Sequence, residues 1–363
     1  MTKDQVRENC LNVLENEFRA TAALGTGVGK TLLGLSYLEQ NFEKVNKCLV
    51  VAPGKDVKKT WKEEAEKYNK THLLKKIVFS TYRSLVKLSP NDFDLLILDE
   101  CHNLLYKHTL FLDFYTERIL GLTGSPPKHP RSEKYKMIEK YCPIKFTYLA
   151  DDAVDDKLLN NYKIYVHLLD LDSKRTIEKK TKTGATFKTS EKSEYDFWTS
   201  KIENEVYKKE MLRIIRMKSL MSFPSKEKYA KLLMESISSK VIVFANTTEQ
   251  ADRICSNSYH NKSKNPEQTL NNFKSGKINK LASVFQLNEG VNIPNLKQCI
   301  IMHMYSGNSS SSRQRIGRML RLNPDDTSII HVLCYKGTID QVWVEDALEH
   351  FNPDKIVWKE YKI

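Results

Sequence analysis

The stretch ALGTGVGKTLLGL, residues 23–35, places Gly-Thr-Gly-Val-Gly-Lys-Thr between an apolar run and a helical segment. Glycines allow backbone N–H groups to converge on an anion, and the N-terminus of the following helix attracts negative charge to the same place. The pattern predicts a phosphate-binding loop between a buried strand, residues 18–24, and a helix, residues 31–42. Leu24 departs from the strict G-x-x-x-x-G-K-[ST] pattern, which has glycine there. The alternative is a glycine-rich turn beside an unrelated lysine.

Each residue type in such a loop has a definable task. The glycines line the loop, Lys30 supplies a cation for the β- and γ-phosphates, and the Thr31 hydroxyl coordinates Mg²⁺. The candidate nucleotide-binding residues are Gly25, Thr26, Gly27, Val28, Gly29, Lys30 and Thr31.

The chain of 363 residues has 58 Lys and Arg against 45 Asp and Glu, a net charge of +13. This excess favours a polyanionic partner, either nucleic acid or an anionic membrane surface, over a merely basic surface. No apolar stretch approaches the roughly 20 residues that span a bilayer, and the N-terminus lacks the apolar core of a signal peptide. The expected location is the cytoplasm, or the host cytoplasm for a viral protein.

The seven cysteines are scattered, with no C-x-x-C pair and an odd total. This usage is typical of a reducing compartment and argues against a zinc site. Most of these cysteines lie in apolar segments, so we expect them to be small core residues.

Two series of short apolar runs alternate with helical segments, which predicts two α/β domains with parallel sheets covered on both faces. The first series is residues 48–53, 75–81, 93–100, 118–126 and 144–150, and the second is residues 240–246, 280–286, 297–304 and 328–334. Between them, the polar, lysine-rich residues 172–196 predict either an exposed hairpin or a disordered loop. Helical signals follow at residues 198–221 and 225–237.

The sequence LLILDECHNL, residues 95–104, ends an apolar strand in two adjacent carboxylates. Beside a phosphate loop, Asp99 would hold Mg²⁺ and Glu100 would orient and activate the attacking water. Acidic pairs at strand ends are common, so the position of this pair after a strand of the same sheet is what favours the catalytic interpretation.

The phosphate loop, DECH at residues 99–102, TGSP at residues 123–126 and SSRQRIGRMLRL at residues 311–322 follow the motif order of superfamily 2 helicases and translocases. The chain resembles these enzymes from about residue 5 to about residue 345, particularly the DNA helicase and restriction-translocase branch that includes phage helicases of the UvsW type. The resemblance implies two RecA-like lobes, each a mostly parallel sheet with helices on both faces, and a site for ATP and Mg²⁺ in the cleft between them. It implies lobe 1 at residues 1–150, a linker or insertion at residues 151–238, and lobe 2 at residues 239–363.

The resemblance also implies further nucleotide contacts. Gln5 is similar to the glutamine that reads adenine, and Thr123 begins a short motif that couples hydrolysis to movement. In the segment VFQLNEGVNIPNL, residues 284–296, Gly290 and Asn292 resemble nucleotide-contacting positions, although Asn292 replaces the usual aspartate.

In SSRQRIGRMLRL, Arg318 and Arg321 are three residues apart and share one helix face, so they could act as arginine fingers on the γ-phosphate. Gln314 would lie near the γ-phosphate or its water. The alternative is a basic amphipathic surface helix.

Nucleic-acid contacts are implied by similarity to the strand-contacting motifs of both lobes. The candidates are Pro53, Gly54, Lys55, Lys58, Thr81, Tyr82, Arg83, Asn246 and Thr247. Trp61, Tyr82 and Trp198 could stack on bases or pack in cores. His102 fits a structural role, or one that couples the nucleotide site to the second lobe.

These features together predict an ATP-dependent helicase or translocase in which ATP draws the two lobes together on a nucleic acid, with DNA favoured over RNA and no membrane partner. The open alternatives are an RNA helicase, a duplex translocase that does not unwind, and a nucleic-acid-binding scaffold with a vestigial ATP site. We also expect the basic segment from Lys174 to Lys192 to contact the duplex or act as a wedge. A protein partner could supply targeting, and the oligomeric state is either a monomer or undetermined.

Overall fold

The computed structural model describes residues 1–25, 27–54, 57–181, 183–284, 293–304, 316, 319, 325–349 and 351–361. The chain divides into two compact units, Met1–Asn160 and Asn161–Ile363. Each unit has its own buried apolar cluster, formed around its own sheet.

The sheet of the first unit has six parallel strands in the order β3-β2-β4-β5-β1-β6. Its central strands β2 and β4 are apolar and completely buried, as expected where helices cover both faces of a parallel sheet. The strands are β1 (Arg19–Leu24), β2 (Cys48–Ala52), β3 (Ile77–Thr81), β4 (Leu95–Asp99), β5 (Arg118–Thr123) and β6 (Ile144–Tyr148). The helices are α1 (Lys3–Glu15), α2 (Lys30–Gln40), α3 (Val57–Lys67), α4 (Tyr82–Leu85), α5 (Thr109–Leu112), α6 (Glu133–Tyr141) and α7 (Ala150–Asp155).

The second unit contains a seven-stranded parallel sheet in the order β11-β12-β10-β13-β14-β7-β15 and a separate antiparallel pair, β8 and β9. The strands are β7 (Asn161–Leu169), β8 (Ile177–Lys180), β9 (Thr186–Thr189), β10 (Val241–Ala245), β11 (Ser258–Tyr259), β12 (Lys280–Val284), β13 (Gln298–Ile301), β14 (Thr327–Tyr335) and β15 (Ile356–Tyr361). The helices are α8 (Glu191–Asn204), α9 (Lys209–Ser222), α10 (Pro224–Ser236), α11 (Thr248–Ile254), α12 (Pro266–Ser275) and α13 (Ile339–Leu348).

The expectation of two parallel α/β sheets is confirmed. The domain limits differ from those expected, because β7 pairs with β14 and β15 and so belongs to the second unit. Residues 161–238 are therefore part of this unit rather than a separate linker, and the division falls at residue 160 instead of 150.

The lysine-rich segment adopts the hairpin alternative. Ile177 pairs with Thr189 and Lys180 with Thr186, with Gly184 in the turn at φ +88°. The helical signal at residues 198–221 corresponds to two helices, α8 and α9, separated by residues 205–208.

All seven cysteines are free and buried, which confirms their assignment to the core. Within the described ranges, no three His, Cys, Asp or Glu side chains are grouped so as to hold a metal ion. No helix in those ranges has the length and apolar character needed to cross a membrane.

A buried ion pair joins α10 to α13 in the second unit. Lys226 and Asp340 are both essentially inaccessible, and the Lys226 ammonium pairs with the Asp340 carboxylate and donates to the Leu333 carbonyl at 3.3 Å. His303 Nδ1 lies 3.2 Å from the same ammonium. Burial opposes ionisation of Asp340, but the charges of Lys226 and His303 outweigh burial and lower its pKa to about 2.

Candidate functional site

The phosphate loop of the first unit connects β1 to α2. Gly27 and Gly29 have φ of +94° and +111°, in the left-handed region that glycine adopts without strain. Gly29 is the residue before α2, and Lys30 begins the helix. The loop therefore places Lys30 and Thr31 at the positive end of a helix that starts beside the carboxyl end of the sheet.

The geometry explains the departure at Leu24. Leu24 is the last residue of β1, is 2% exposed, and pairs with Tyr148 of β6. Gly25 is the point of close approach, because a Cβ there would lie 2.8 Å from the backbone nitrogen of Ala150. The backbone N–H of Gly25 donates to the Tyr148 carbonyl at 2.8 Å. The requirement for glycine thus falls one residue later than in the strict pattern.

Asp99 and Glu100 lie at the carboxyl end of β4. Glu100 Oε1 is 3.2 Å from Lys30 Nζ, and these side chains are 15% and 13% exposed. This contact brings the phosphate loop and the acidic pair together, as the sequence predicts. Glu100 has a left-handed backbone, at φ +52° and ψ +56°, which turns its side chain away from the strand direction.

The second oxygen of Glu100 connects the acidic pair to the TGS sequence. Glu100 Oε2 accepts a hydrogen bond from the Gly124 backbone N–H at 3.3 Å and lies 3.4 Å from His102 Nδ1. His102 Nδ1 is also hydrogen bonded to Thr123 Oγ1 at 2.9 Å, and Thr123 Oγ1 accepts from the Ser125 N–H at 3.0 Å. His102 is thus a buried histidine whose contacts with Glu100 and Thr123 join two motifs that are 21 residues apart.

The two carboxylates differ in their electrostatics. Burial, followed by the charge of Glu100, raises the pKa of Asp99 to about 6. Burial also opposes ionisation of Glu100, but the Lys30 charge and then His102 outweigh burial and lower the pKa of Glu100. Glu100 is therefore the more readily ionised of the pair.

Two aromatic residues contact Asp99. The Trp61 indole is fully buried, and its Nε1 donates to Asp99 Oδ2 at 3.0 Å. The Tyr82 hydroxyl donates to the Asp99 backbone carbonyl at 2.9 Å. Of the two roles considered for Trp61, base stacking and core packing, the structure shows core packing. No feature of the sequence indicated its bond to Asp99.

Tyr82 differs from the expected nucleic-acid contact. Its side chain is 5% exposed and packs in the core of the first unit, so its ring is not presented for stacking on a base. The burial follows from the position of Tyr82 at the start of α4, directly after β3, where the chain turns back onto the sheet. The neighbouring Arg83 is exposed, and Thr81 is half-buried.

The residues at the carboxyl end of the first sheet fit Mg²⁺. The ion prefers oxygen ligands, and the Asp99 carboxylate and Thr31 hydroxyl supply them. Because Asp99 is buried beside Glu100 and its pKa is raised, a nearby cation would offset the repulsion between two carboxylates. Asp99 and Thr31 are therefore the residues that would hold the ion.

Gln5 has a local structural role. The Thr2 hydroxyl accepts from the Gln5 N–H at 3.2 Å, and Gln5 Oε1 accepts from the Thr2 N–H at 2.7 Å, which forms a capping box at the start of α1. From the same helix, Lys3 Nζ donates to the Gly27 carbonyl of the phosphate loop at 3.0 Å. Adenine recognition by Gln5 stays a prediction.

The other described nucleic-acid candidates follow the carboxyl ends of strands in the two sheets. In the first unit, Pro53, Gly54 and Lys58 are exposed after β2. In the second unit, Asn246 is 9% exposed after β10, and the Thr247 hydroxyl caps α11 by accepting from the Gln250 N–H at 3.1 Å. These residues therefore follow the ends of strands, and their contacts with nucleic acid stay predictions.

Several predicted site residues lie outside the described residues: Thr26, Lys55, Gly290, Asn292, Gln314, Arg318 and Arg321. Of the segment 311–322, the structure describes Ile316 and Met319, which are helical and buried.

Two family models match the chain and together span more than half of it. Residues 2–128 match the type III restriction enzyme res subunit, and residues 224–323 match the helicase conserved C-terminal domain. The first match includes the phosphate loop, the DECH motif and the TGS sequence, and the second includes the segment with the two candidate arginines.

Similar proteins include the DNA 3'-5' translocase XPB2 of Sulfurisphaera tokodaii, which is 27% identical over 356 residues, with 89% of this chain and 79% of that protein covered. Among solved structures, the ATP-dependent Type ISP restriction-modification enzyme LlaBIII bound to DNA has a TM-score of 0.60 at 15% identity over all of this chain. The chain spans 31% of the length of LlaBIII. A fragment of a putative type I HsdR subunit from Vibrio vulnificus YJ016 has a TM-score of 0.59 at 17% identity, with 99% of this chain and 68% of that one covered.

At these identities the solved structures show the fold alone, and the family models supply the classification. The two matched domains occur in the expected order, and the first contains a phosphate loop whose lysine contacts the acidic pair. These matches together support a superfamily 2 helicase or translocase, that is, an ATP-hydrolysing enzyme.

Proposed function

We propose that this enzyme is an ATP-driven motor on DNA that unwinds or remodels branched structures. The observation that carries the proposal is the continuous set of contacts from Lys30 through Glu100 to Gly124, with His102 bonded to Thr123. These contacts connect the phosphate loop to the motif that couples hydrolysis to movement. The similarity to a protein named as a DNA translocase favours DNA as the track.

Lys30 has two successive partners in this mechanism. Its ammonium lies 3.2 Å from Glu100 Oε1. When a triphosphate enters the loop, Lys30 exchanges this carboxylate for phosphate oxygens, and Glu100 becomes available to orient water and accept its proton. Nucleotide binding and activation of the base are thereby linked through one side chain.

Asp99 and Thr31 would hold Mg²⁺, which supplies charge neutralisation at the phosphates. The Trp61 indole fixes one Asp99 oxygen at 3.0 Å, and the Tyr82 hydroxyl fixes its backbone carbonyl at 2.9 Å. Asp99 is therefore restrained on both sides before any ligand arrives.

The proposal assigns completion of the site to the second unit. Arg318 and Arg321 would stabilise charge on the γ-phosphate, and Gln314 would contact the γ-phosphate or its water. Gly290, Asn292 and Gln5 would contact the nucleotide. ATP would then favour the state in which both units engage it, and hydrolysis would release that state.

The net charge of +13 suits a phosphate-dominated track, so binding would weaken steeply with salt and vary little with sequence. The proposed contacts are Pro53, Gly54, Lys55, Lys58, Thr81, Arg83, Asn246 and Thr247. A protein partner for targeting and a monomeric state are predictions that accompany this proposal.

Three other functions make different predictions. An RNA helicase would be stimulated more by RNA than by DNA. A duplex translocase would displace a triplex-forming strand without separating the duplex. A scaffold with a vestigial ATP site would bind nucleic acid with no hydrolysis, and the Lys30–Glu100 contact argues against it.

The test is ATP hydrolysis by the purified protein alone and with single-stranded DNA, duplex DNA, branched DNA or RNA. Lys30→Ala is the blank, and Glu100→Gln keeps the side-chain shape while removing the base. We expect DNA to stimulate ATP hydrolysis more than RNA does. Both variants should lose this stimulated hydrolysis. Greater stimulation by RNA would overturn the assignment of DNA, and salt-sensitive binding with no hydrolysis would favour the scaffold.

The hairpin of β8 and β9 is the proposed duplex contact or wedge within residues 174–192. It presents Lys180, Lys188 and the half-exposed ring of Phe187. Since Ile177 pairs with Thr189, the hairpin ends lie side by side, and residues 178–188 can be replaced by a short Gly-Ser linker. We expect loss of DNA affinity or of unwinding, with ATPase activity without DNA retained. Unchanged DNA affinity, stimulation and unwinding would contradict this role.

A further inference from the structure

An apolar groove lies along β3, the edge strand of the first sheet. Its volume is about 660 Å³, and it is lined by Leu74, Ile77, Val78 and Phe79, with Lys58 and Lys62 of α3 and Lys75 on its rim. All five residues of β3 are partly accessible. The groove lies apart from the acidic pair, since β2 separates β3 from β4 in the sheet.

The β3 edge differs from the other sheet edges in the described part of the chain. An edge strand presents unpaired N–H and C=O groups, and proteins usually block it with charged residues on the strand or by making it short. The edge strand β6 contains Lys145, β15 contains Lys359 and Glu360, and β11 has two residues. By contrast, β3 reads Ile-Val-Phe-Ser-Thr and contains no charged residue.

The lysines are placed around this edge instead of on it. Lys58 and Lys62 are one turn apart on α3, and Lys75 lies in the 3-10 helix Thr71–Lys76 that precedes β3. All three are exposed. They leave β3 itself without charge while surrounding the groove with positive charge.

We propose that the β3 groove binds an extended, acidic segment of a protein partner, which adds a strand to the sheet. A peptide offers alternating donors and acceptors to the strand edge, whereas a phosphodiester backbone offers acceptors and would oppose the β3 carbonyls. Every second side chain of the segment is apolar and fills the groove over Ile77 and Phe79, while carboxylates at the ends of this apolar run reach Lys62 and Lys75 on its rim. This binding function goes beyond the motor activity and requires neither ATP nor DNA.

The probe is a fluorescein-labelled peptide, Ser-Glu-Val-Glu-Val-Asp-Val-Ser, measured by fluorescence anisotropy against the full chain. Two control peptides replace its acidic residues with lysine or methylate the backbone nitrogens along one edge. We expect micromolar binding of the acidic peptide, at least tenfold weaker binding of both controls, and slower amide exchange in residues 77–81 on binding.

The test variant is the double substitution Lys62→Glu with Lys75→Glu. The matched control is Lys107→Glu with Lys136→Glu, which changes the net charge equally at exposed sites of the same unit. We expect the Lys62 and Lys75 substitutions to weaken binding of the acidic peptide at least tenfold. The Lys107 and Lys136 substitutions should change its affinity less than twofold, and both double variants should keep ATPase activity.

Three outcomes would overturn the proposal: no peptide binding at millimolar concentration, equal loss in both double variants, or unimpaired binding of the N-methylated peptide. If a single-stranded oligonucleotide displaces the peptide and protects residues 77–80, which exclude the proposed DNA contact Thr81, the groove is a nucleic-acid path instead. Loss of ATPase stimulation by DNA bears on the motor function alone, because peptide binding is measured without either ligand.

Discussion

Trp61 has an unusual task for a core tryptophan, since its indole N–H ends at the carboxylate proposed to hold Mg²⁺. The ring is fully buried, and the bond to Asp99 Oδ2 is 3.0 Å long. A buried hydrogen bond to an ionised group both stabilises the fold and favours the charged form of the acceptor. Trp61 is thus a positioning residue for Asp99.

Trp61→Phe keeps a ring in the core and removes the donor. We expect a loss of about 2 to 4 kcal/mol in the free energy of unfolding, from the cavity and the unpaired carboxylate oxygen. We also expect a higher Mg²⁺ concentration for half-maximal ATPase activity. Chemical denaturation and a Mg²⁺ titration measure the two effects.

Trp198→Phe is the matched control, because Trp198 is half-buried and its Nε1 donates to Glu194 at 2.7 Å. This change should cost less than about 1 kcal/mol and leave the Mg²⁺ requirement unaltered. An identical Mg²⁺ dependence in Trp61→Phe and the unmodified protein would show that the indole does not position Asp99.

The residues found from sequence and those missed differ in a physical way. Lys30, Asp99 and Glu100 were predictable because loop and strand-end positions specify where their side chains point. The bonds of Trp61 to Asp99 and of His102 to Thr123 join elements that are distant in sequence. Such bonds depend on how elements pack, and local pattern contains no signal for them.

At the scale of elements, Gly34 shows how packing overrides helix propensity. Gly34 lies inside α2, where alanine would ordinarily stabilise the helix by about 1 kcal/mol. A Cβ at this position would lie 2.5 Å from the indole Cη2 of Trp61 and 3.2 Å from Leu122. The glycine therefore permits α2 to pack closely on the ring that contacts Asp99.

Gly34→Ala should destabilise the protein by about 1 kcal/mol or more, because overpacking outweighs the gain in propensity. Thermal unfolding measures the change. Combining it with Trp61→Phe removes the clashing part of the indole, so the double variant should lose less than the sum of the single losses. Strict additivity would place the strain elsewhere.

A histidine pair joins β7 to β14. His167 is 3% exposed, its Nδ1 lies 2.8 Å from the Tyr229 hydroxyl, and its Nε2 lies 2.9 Å from His331 Nδ1. Burial, followed by the charge of His331, lowers the pKa of His167 to about 3. Burial likewise lowers the pKa of His331 to about 4. Both rings are neutral in the folded state at pH 7.

Lowered histidine pKa values fix the direction of a pH effect. As pH falls below the unfolded value of about 6.5, the unfolded chain binds protons that the folded chain does not, so stability falls until pH approaches 4 to 3. Denaturation at stepped pH should show a shallower loss over this range in His167→Phe than in the unmodified protein. Equal slopes would mean that the pair does not contribute.

The elements themselves were partly predictable. Strands of the first sheet and the centre of the second have long apolar runs, which gave their positions. In contrast, β7 and β15 have mixed polar sequences; β7 joins the sheet by pairing with β14, and β15 joins it by pairing with β7. Their assignment required a pairing between residues more than 150 positions apart, and periodicity contains no information on such a pairing.

At the scale of the whole molecule, the division at residue 160 separates the proposed participants in hydrolysis. Lys30, Asp99 and Glu100 belong to the first unit, whereas Arg318 and Arg321 belong to the second. Since each unit has its own apolar cluster, each should fold by itself.

A fragment of residues 1–160 should bind a fluorescent ATP analogue within about tenfold of the affinity of the full chain. It should show at least 100-fold less DNA-stimulated hydrolysis, because arginine fingers supply rate acceleration of that order or more. Arg318→Ala in the full chain is the matched comparison. If the fragment hydrolyses ATP as fast as the full chain, the second unit does not take part in hydrolysis.

Glu100 occupies a backbone conformation that costs a glutamate about 1 to 2 kcal/mol and a glycine almost nothing. Directed evolution for thermal resistance alone would therefore act against this residue, whereas a screen for turnover would retain it. Stability and turnover therefore favour different residues at this position. Variants selected for one property should differ there from variants selected for the other within a few rounds. Sequencing position 100 in both sets of evolved variants would reveal that divergence.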